Sequence, residues 1–273
     1  MMIMIIQDSW FLRKLEKVAL DALISVLENQ DAMLDAIESL KFMVEKGFDV
    51  SSAIPILTKV LENETDTSVR QEVLHIFMFA VEKGSIDISV STPTLIQLLG
   101  SEDIIVRKKS EIVLQDAALS GSKEMVDALV DALEHEDKGV RKNAAEALSQ
   151  ATSKGTDVSI HLSKLINLLR KGSPSITHDT LIPYDIVDII RNASFTGKFS
   201  EEHLAELRKT MREVVEKETR PEYKLELRIL FSDLYKSVIN NIKRSTQLKD
   251  ARIKPIQRRK TGKFRTIKRV RNG

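Results

Sequence analysis

The densest run of chemically active side chains in this sequence lies at its C-terminal end. Between Lys243 and Gly273 stand thirteen Lys or Arg and the single acid Asp250, a net of +12. Residues 1–242 carry 29 bases and 39 acids, a net of −10. The overall +2 averages two oppositely charged parts, and such asymmetry points to an anion-seeking tail. Lys254, Arg258, Arg259, Lys260, Lys263, Arg265, Lys268, Arg269 and Arg271 are the candidates to neutralise nucleic-acid phosphates, and Phe264 is the tail's one aromatic, able to stack on a base. Repulsion among the cations predicts a largely unstructured free tail. Phe264, Ile267 and Val270 recur every third residue, so its end suits a basic amphipathic helix once neutralised.

Three uses of the tail compete. RNA or a ribonucleoprotein is favoured over DNA as its partner. The alternative is an acidic protein surface, this chain's own body included, or a targeting role, since Arg258-Arg259-Lys260 and Lys268-Arg269 also suit import signals. An anionic membrane would attract each cation by roughly 1 kcal/mol, but no lipidation site supplies a second anchor, so no membrane partner is expected.

Elsewhere catalytic patterns are missing. There is no cysteine, which removes disulfides, thiolate zinc sites and cysteine nucleophiles. His75, His135, His161, His178 and His203 show no i,i+4 pairing and no zinc-ligand spacing. Glycine-rich phosphate loops, nucleophile elbows and paired-carboxylate motifs are also lacking. The expectation is a non-catalytic binding protein with no cofactor and no metal. The apolar opening Met1-Met2-Ile3-Met4-Ile5-Ile6 meets Gln7-Asp8 directly, too short for a signal peptide or a membrane span. A soluble, cytoplasmic protein is expected, nuclear if eukaryotic.

The elements that must carry these groups follow from a repeat. Asp66-Thr-Ser-Val69-Arg70, Asp103-Ile-Ile-Val106-Arg107 and Asp137-Lys-Gly-Val140-Arg141 share one anchor, with the valines 37 and 34 residues apart. Counting 4, 7, 8 and 11 residues on from the valine gives Val73, Ile76, Phe77, Ala80, then Ser110, Val113, Leu114, Ala117, then Ala144, Ala147, Leu148, Ala151. This is a helix with one buried face. The template extends to Ile186, Ile189, Ile190, Ala193 after Ile182 and to Leu227, Leu230, Phe231, Leu234 after Tyr223. At the N-terminus Met33 leads into Ile37, Leu40 and Val44, with Lys41 breaking the stripe.

A second apolar helix precedes each stripe. Ser52, Thr92, Ser122, Ser159 and Ser200 are the expected N-caps of these first helices, and Gly47, Gly84, Gly121, Gly155 and Gly197 punctuate the passage between units. Such a pair cannot bury both apolar faces alone, so its neighbours must supply the missing surface. Residues 1–242 are therefore expected to form one elongated domain and residues 243–273 a basic tail.

Pro55, Asp66, Val69, Arg70 and Pro93, Asp103, Val106, Arg107 match the HEAT-repeat pattern, and Asp137, Val140, Arg141 match it without the proline. The chain thus resembles HEAT-repeat proteins. That resemblance implies an all-α, right-handed α-solenoid of about six helix pairs, with Asp66, Arg70, Asp103, Arg107, Asp137 and Arg141 forming a structural ladder between repeats. It also implies that the second helices line a concave face, where His75, Met78 and Phe79 are candidates to hold a protein partner. An enzyme such as a DNA glycosylase or a bilin lyase is the remaining alternative, since some helical-repeat proteins have these activities. The end units depart from the pattern, with Leu34 and Pro183 where Arg is expected and Gln30 and Arg220 in place of Asp, as suits capping repeats. The fifth unit carries extra residues around Ser173–His178, either a benign insertion or a contact site.

Overall fold

A computed structural model describes residues 2–84, 86–171, 183–196 and 198–260. These residues form twelve α-helices, joined by turns and four short 3-10 helices, with no strand among them. The helices fall into six pairs: α1 Met2–Val26 and α2 Gln30–Glu45; α3 Ile54–Asn63 and α4 Thr67–Glu82; α5 Thr92–Leu98 and α6 Ile104–Leu119; α7 Lys123–Ala132 and α8 Lys138–Ser153; α9 Leu162–Lys171 and α10 Pro183–Ala193; α11 Glu201–Lys217 and α12 Pro221–Lys260. The even-numbered helices pack on one another in chain order, α2 on α4, α4 on α6, α6 on α8 and α8 on α10, while α5 packs on α7 and α9 on α11. The expected α-solenoid of helix pairs is what forms.

The stripe positions build the core. Val73, Ile76, Phe77 and Ala80 on α4, Val113 and Leu114 on α6, and Ala144, Ala147, Leu148 and Ala151 on α8 are fully or almost fully buried. One stripe position is polar: Ser110 is buried, and its hydroxyl donates to the Val106 carbonyl at 2.9 Å, which satisfies it without a partner outside the helix. Unit four is lined by alanines, and there the backbones come close. A Cβ on Gly139 would meet Asp137 Oδ1 at 3.0 Å, and one on Gly100 would meet Val140 Cγ2 at 3.0 Å. Asn143 closes this contact by donating to the Leu99 and Gly139 carbonyls, both at 2.8 Å.

The unit boundaries follow the glycines. Gly47, Gly84, Gly121 and Gly155 have φ of +86°, +66°, +94° and +110°; Gly197 lies outside the described residues. Behind three of them the same bond returns to the helix, from the amides of Phe48, Ser122 and Thr156 to the carbonyls of Met43, Ala117 and Ala151. This is the C-terminal lock that a left-handed residue makes possible.

The expected N-caps divide. Ser122 and Ser200 cap α7 and α11, Ser200 within a capping box closed by His203. Ser52, Thr92 and Ser159 do not cap their helices, because a 3-10 turn precedes each of α3, α5 and α9. Asp49, Asp87 and Asp157 start these turns instead, accepting from the amides of Ser51, Ser89 and Ser159 at 2.9, 2.8 and 2.9 Å. A carboxylate two residues upstream is the stronger acceptor and takes the first free donor.

The basic segment, expected to be largely unstructured, begins as helix. α12 passes residue 242 without interruption and runs on to Lys260. Helix nucleation is the costly step, and here the packed part of α12 has already provided it, so extension adds one bond per residue fixed. Residues 261–273 and the insertion around Ser173–His178 lie outside the described residues.

Gly121 tests the boundary chemistry cleanly, since nothing lies within 4 Å of a Cβ built there. Gly121→Ala should cost roughly 1–2 kcal/mol through backbone strain alone, and Gly121→Asn should cost less because Asn tolerates this conformation. Urea unfolding midpoints of the three proteins measure both.

Candidate functional site

The anchor residues act first within their own units. Asp103 and Asp137 accept from the amides of Val106 and Val140 at 2.8 and 2.9 Å, and Asp66 from that of Ser68 at 2.8 Å, so each caps its second helix. Arg107 donates to the Ser101 carbonyl at 2.5 Å, and Arg141 to those of His135 and Glu136 at 2.8 and 2.7 Å. Both arginines brace the turn that precedes their own helix. Arg70 differs, because its Nε is buried without a hydrogen-bond partner. The ladder that the resemblance implies between repeats is thus a set of intra-unit braces at Arg107 and Arg141.

Other residues stitch unit to unit, and sequence reasoning did not single them out. On the face of the even-numbered helices Lys41 pairs with Glu72 at 2.6 Å, Lys109 reaches the Gln71 carbonyl at 2.9 Å, and Lys108 joins Glu111 at 2.8 Å to Glu146 at 3.1 Å. On the odd-numbered helices Thr94 donates to Glu62, Lys164 pairs with Asp131, Lys171 with Glu134 and Arg170 with Glu213. His161 meets Asp127 at 2.8 Å. Partners lie 31 to 43 residues apart, one repeat period, and that recurrence of opposite charges was the available signal.

His75, Met78 and Phe79 sit on α4 within this face. His75 stacks on Phe79 with centroids 5.0 Å apart, and Met78 and Phe79 pack half-buried against the core. The three therefore share packing duty with whatever surface they offer. Burial pushes the His75 imidazole below its ordinary value; the neighbouring Lys109 and Lys41 push the same way, while Glu72 and Glu45 oppose them. Burial likewise lowers the Lys109 ammonium, and the hydrogen bond from Lys41 holds the Glu72 carboxyl below its usual range. Glu111 is 2% exposed, and burial raises its carboxyl despite the bond from Lys108.

The tail candidates are only partly placed. Lys254, Arg258, Arg259 and Lys260 lie on the last turns of α12, whereas Lys263, Phe264, Arg265, Lys268, Arg269 and Arg271 lie outside the described residues. Lys243 and Arg244, where the basic segment starts, are exposed on α12. Among the described residues no group of three or more His, Asp or Glu is placed to hold a metal ion, and no helix is long and apolar enough to cross a membrane.

A family model described as HEAT repeats matches residues 92–179. No curated protein matches the sequence. Among solved structures the chain is similar to a designed armadillo repeat protein in complex with the peptide (KR)4, at 16% identity and TM-score 0.43, covering 82% of this chain and 99% of that one. A second designed armadillo repeat protein is similar at 17% identity and TM-score 0.45, with 82% and 99% covered. An engineered protein is similar at 19% identity and TM-score 0.41, with 82% and 96% covered.

The His75 environment carries a pH dependence whose sign follows from the direction of its shift. With its folded pKa lowered, His75 takes up a proton more readily in the unfolded chain, so stability present above about pH 6.5 should fall as pH drops through that value. His75→Gln should remove this part of the slope. Urea unfolding of both proteins between pH 7.5 and 5.5 shows whether the two profiles converge at the acidic end.

Proposed function

We propose that this HEAT-like repeat chain is a non-catalytic adaptor whose basic C-terminal segment engages nucleic-acid phosphates while the helical body holds a protein partner. The division of charge carries this reading. Residues 1–139 hold 25 acids and 13 bases, residues 140–242 hold 14 acids and 16 bases, and the last thirty-one residues hold thirteen bases and one acid. The basic segment thus leaves from the less acidic half of the body, where a polyanion meets little repulsion. Because α12 is continuous to Lys260, its first cations are carried on an element that the body positions. RNA or a ribonucleoprotein is the class favoured, and contacts of this kind bind phosphates strongly, with steep salt dependence and little regard for sequence.

A second reading has its own observation. On α2 the residues Asp31, Asp35, Glu38 and Glu45 form one exposed stripe with Leu34 and Phe42, which are 47% and 58% exposed. Among the described residues none of these four carboxylates has an ion-pair partner within 4.0 Å. An acidic and apolar stripe of this kind suits a basic partner helix, and the tail of a second copy qualifies. The chain is then a protein-only scaffold.

Replacing Arg258, Arg259, Lys260, Lys263, Arg265, Lys268, Arg269 and Arg271 with Gln in the full chain separates the two. The adaptor reading expects wild-type RNA affinity to fall by orders of magnitude between low and moderate salt, and the neutralised variant to lose that binding while its thermal melt is unchanged. Self-association that disappears in the variant, with no RNA binding in either protein, would favour the scaffold.

A further inference from the structure

Helix α11 presents different chemistry on its two sides. α11 turns Glu206, Thr210 and Glu213 towards α9, where Ser163 donates to Glu206 at 3.2 Å and Arg170 reaches Thr210 at 2.8 Å and Glu213 at 3.0 Å. At 3.6 residues per turn, Arg208, Arg212 and Val215 fall on the opposite side of the same helix. There they meet α12 in a groove of about 400 Å³, with Met211 and Phe231 in its floor and Arg228 and Tyr235 on its far wall. Arg208, Arg212 and Arg228 are all exposed, and among the described residues none has an ion-pair partner within 4.0 Å. The one acid lining the groove is Glu216. Arg208 lies over the ring of Tyr235, with its guanidinium carbon 5.4 Å from the centroid.

We infer that the α11–α12 groove is a binding site for single-stranded nucleic acid, with Arg212 and Arg228 holding adjacent phosphates and the Arg208–Tyr235 pair offering a platform on which a base stacks. Exposed arginines facing one another across an apolar floor match the alternation of charge and flat apolar surface along a single strand. An acidic peptide would satisfy the arginines but not use the platform. Position favours the same ligand: Arg228 and Tyr235 stand on the helix that continues to Lys243, Lys254 and Lys260, so one strand can leave the groove along α12 and meet the basic segment. The inference deepens the proposed nucleic-acid reading and rests on it, yet it concerns different residues and can fail separately.

The test uses five versions of the full chain: wild type, Arg208→Gln/Arg212→Gln/Arg228→Gln, the tail-neutralised variant described above, those two sets combined, and Tyr235→Leu. Fluorescence anisotropy with a labelled oligouridylate of about 16 nucleotides, the upper range of a single-strand site, is read across a salt series. With the tail intact, loss of the groove arginines should flatten the plot of log affinity against log salt by about 1.4, for two phosphates at about 0.7 each on a single strand. Tyr235→Leu, which removes the ring but keeps an apolar side chain, should weaken binding roughly ten-fold and leave that slope alone. Circular-dichroism melts must coincide, since the three arginines make no ion pair that folding needs. An unchanged slope and affinity in the groove variant, beside a loss in the tail variant, overturns the groove and leaves the tail reading standing. Binding that survives tail neutralisation but not groove neutralisation supports the groove and overturns the tail. A groove that binds poly-glutamate as tightly as the oligonucleotide, with no effect of Tyr235→Leu, overturns the inference in favour of an acidic protein partner.

Discussion

The structure depends on one constraint: no helix pair here can bury both of its apolar faces by itself. Phe77 and Ile76 are fully buried on α4, which packs against α2, α3 and α6, and Leu114 is fully buried on α6, which packs against α4, α5, α7 and α8. Each fully buried side chain of this size contributes about 1.5–3 kcal/mol, so removing one pair exposes a set on each neighbour. Stability therefore belongs to the stack rather than to any unit, as nearest-neighbour accounts of repeat proteins require. The turns serve that end. Caps from Asp66, Asp103 and Asp137, and left-handed glycines at the exits, hold each pair at an angle that lets the next one pack.

Charged residues contribute differently. The seams at Lys41–Glu72, Lys108–Glu146 and Lys164–Asp131 are partly exposed, and such pairs are worth little, about 0–1 kcal/mol each. Their recurrence one period apart suits the first two to fixing register instead, since a slip of one turn would set Glu38 or Glu45 against Glu72 and Glu111 against Glu146. Glu111 is the costly member. It is buried, and burial raises its carboxyl even with Lys108 bonded to it, so the surrounding packing opposes its charge and the bond from Lys108 supports it.

Much of this was legible in the residues. The 3.6-residue stripes located the second helix of every unit, because apolar spacing reports directly on which face is buried. The glycines located four of the unit exits, because left-handed backbone selects glycine. Three kinds of feature were not legible. The Asp49, Asp87 and Asp157 turns repeat an Asp-Val-Ser or Asp-Ile-Ser signal that stands in plain view, but a serine cap explained the same place and obscured it. The seams needed knowledge of which helices adjoin. The helical course of residues 243–260 turned on a balance between charge repulsion and extension of an anchored helix, and composition reports only the first.

The groove at the open end belongs to the second kind. Arg208, Arg212 and Arg228 are unremarkable in sequence, three cations within a segment that also holds nine acids between residues 200 and 242. They become a site only when α11 turns its acids Glu206 and Glu213 inward against α9 and leaves its arginines on the outer side. Glu213 is matched by Arg170 at the seam, so it does not pair with the groove arginines. Among the described residues Arg208 and Arg212 on α11 and Arg228 on α12 stay without an ion pair beside the ring of Tyr235, and α12 leads into the basic segment.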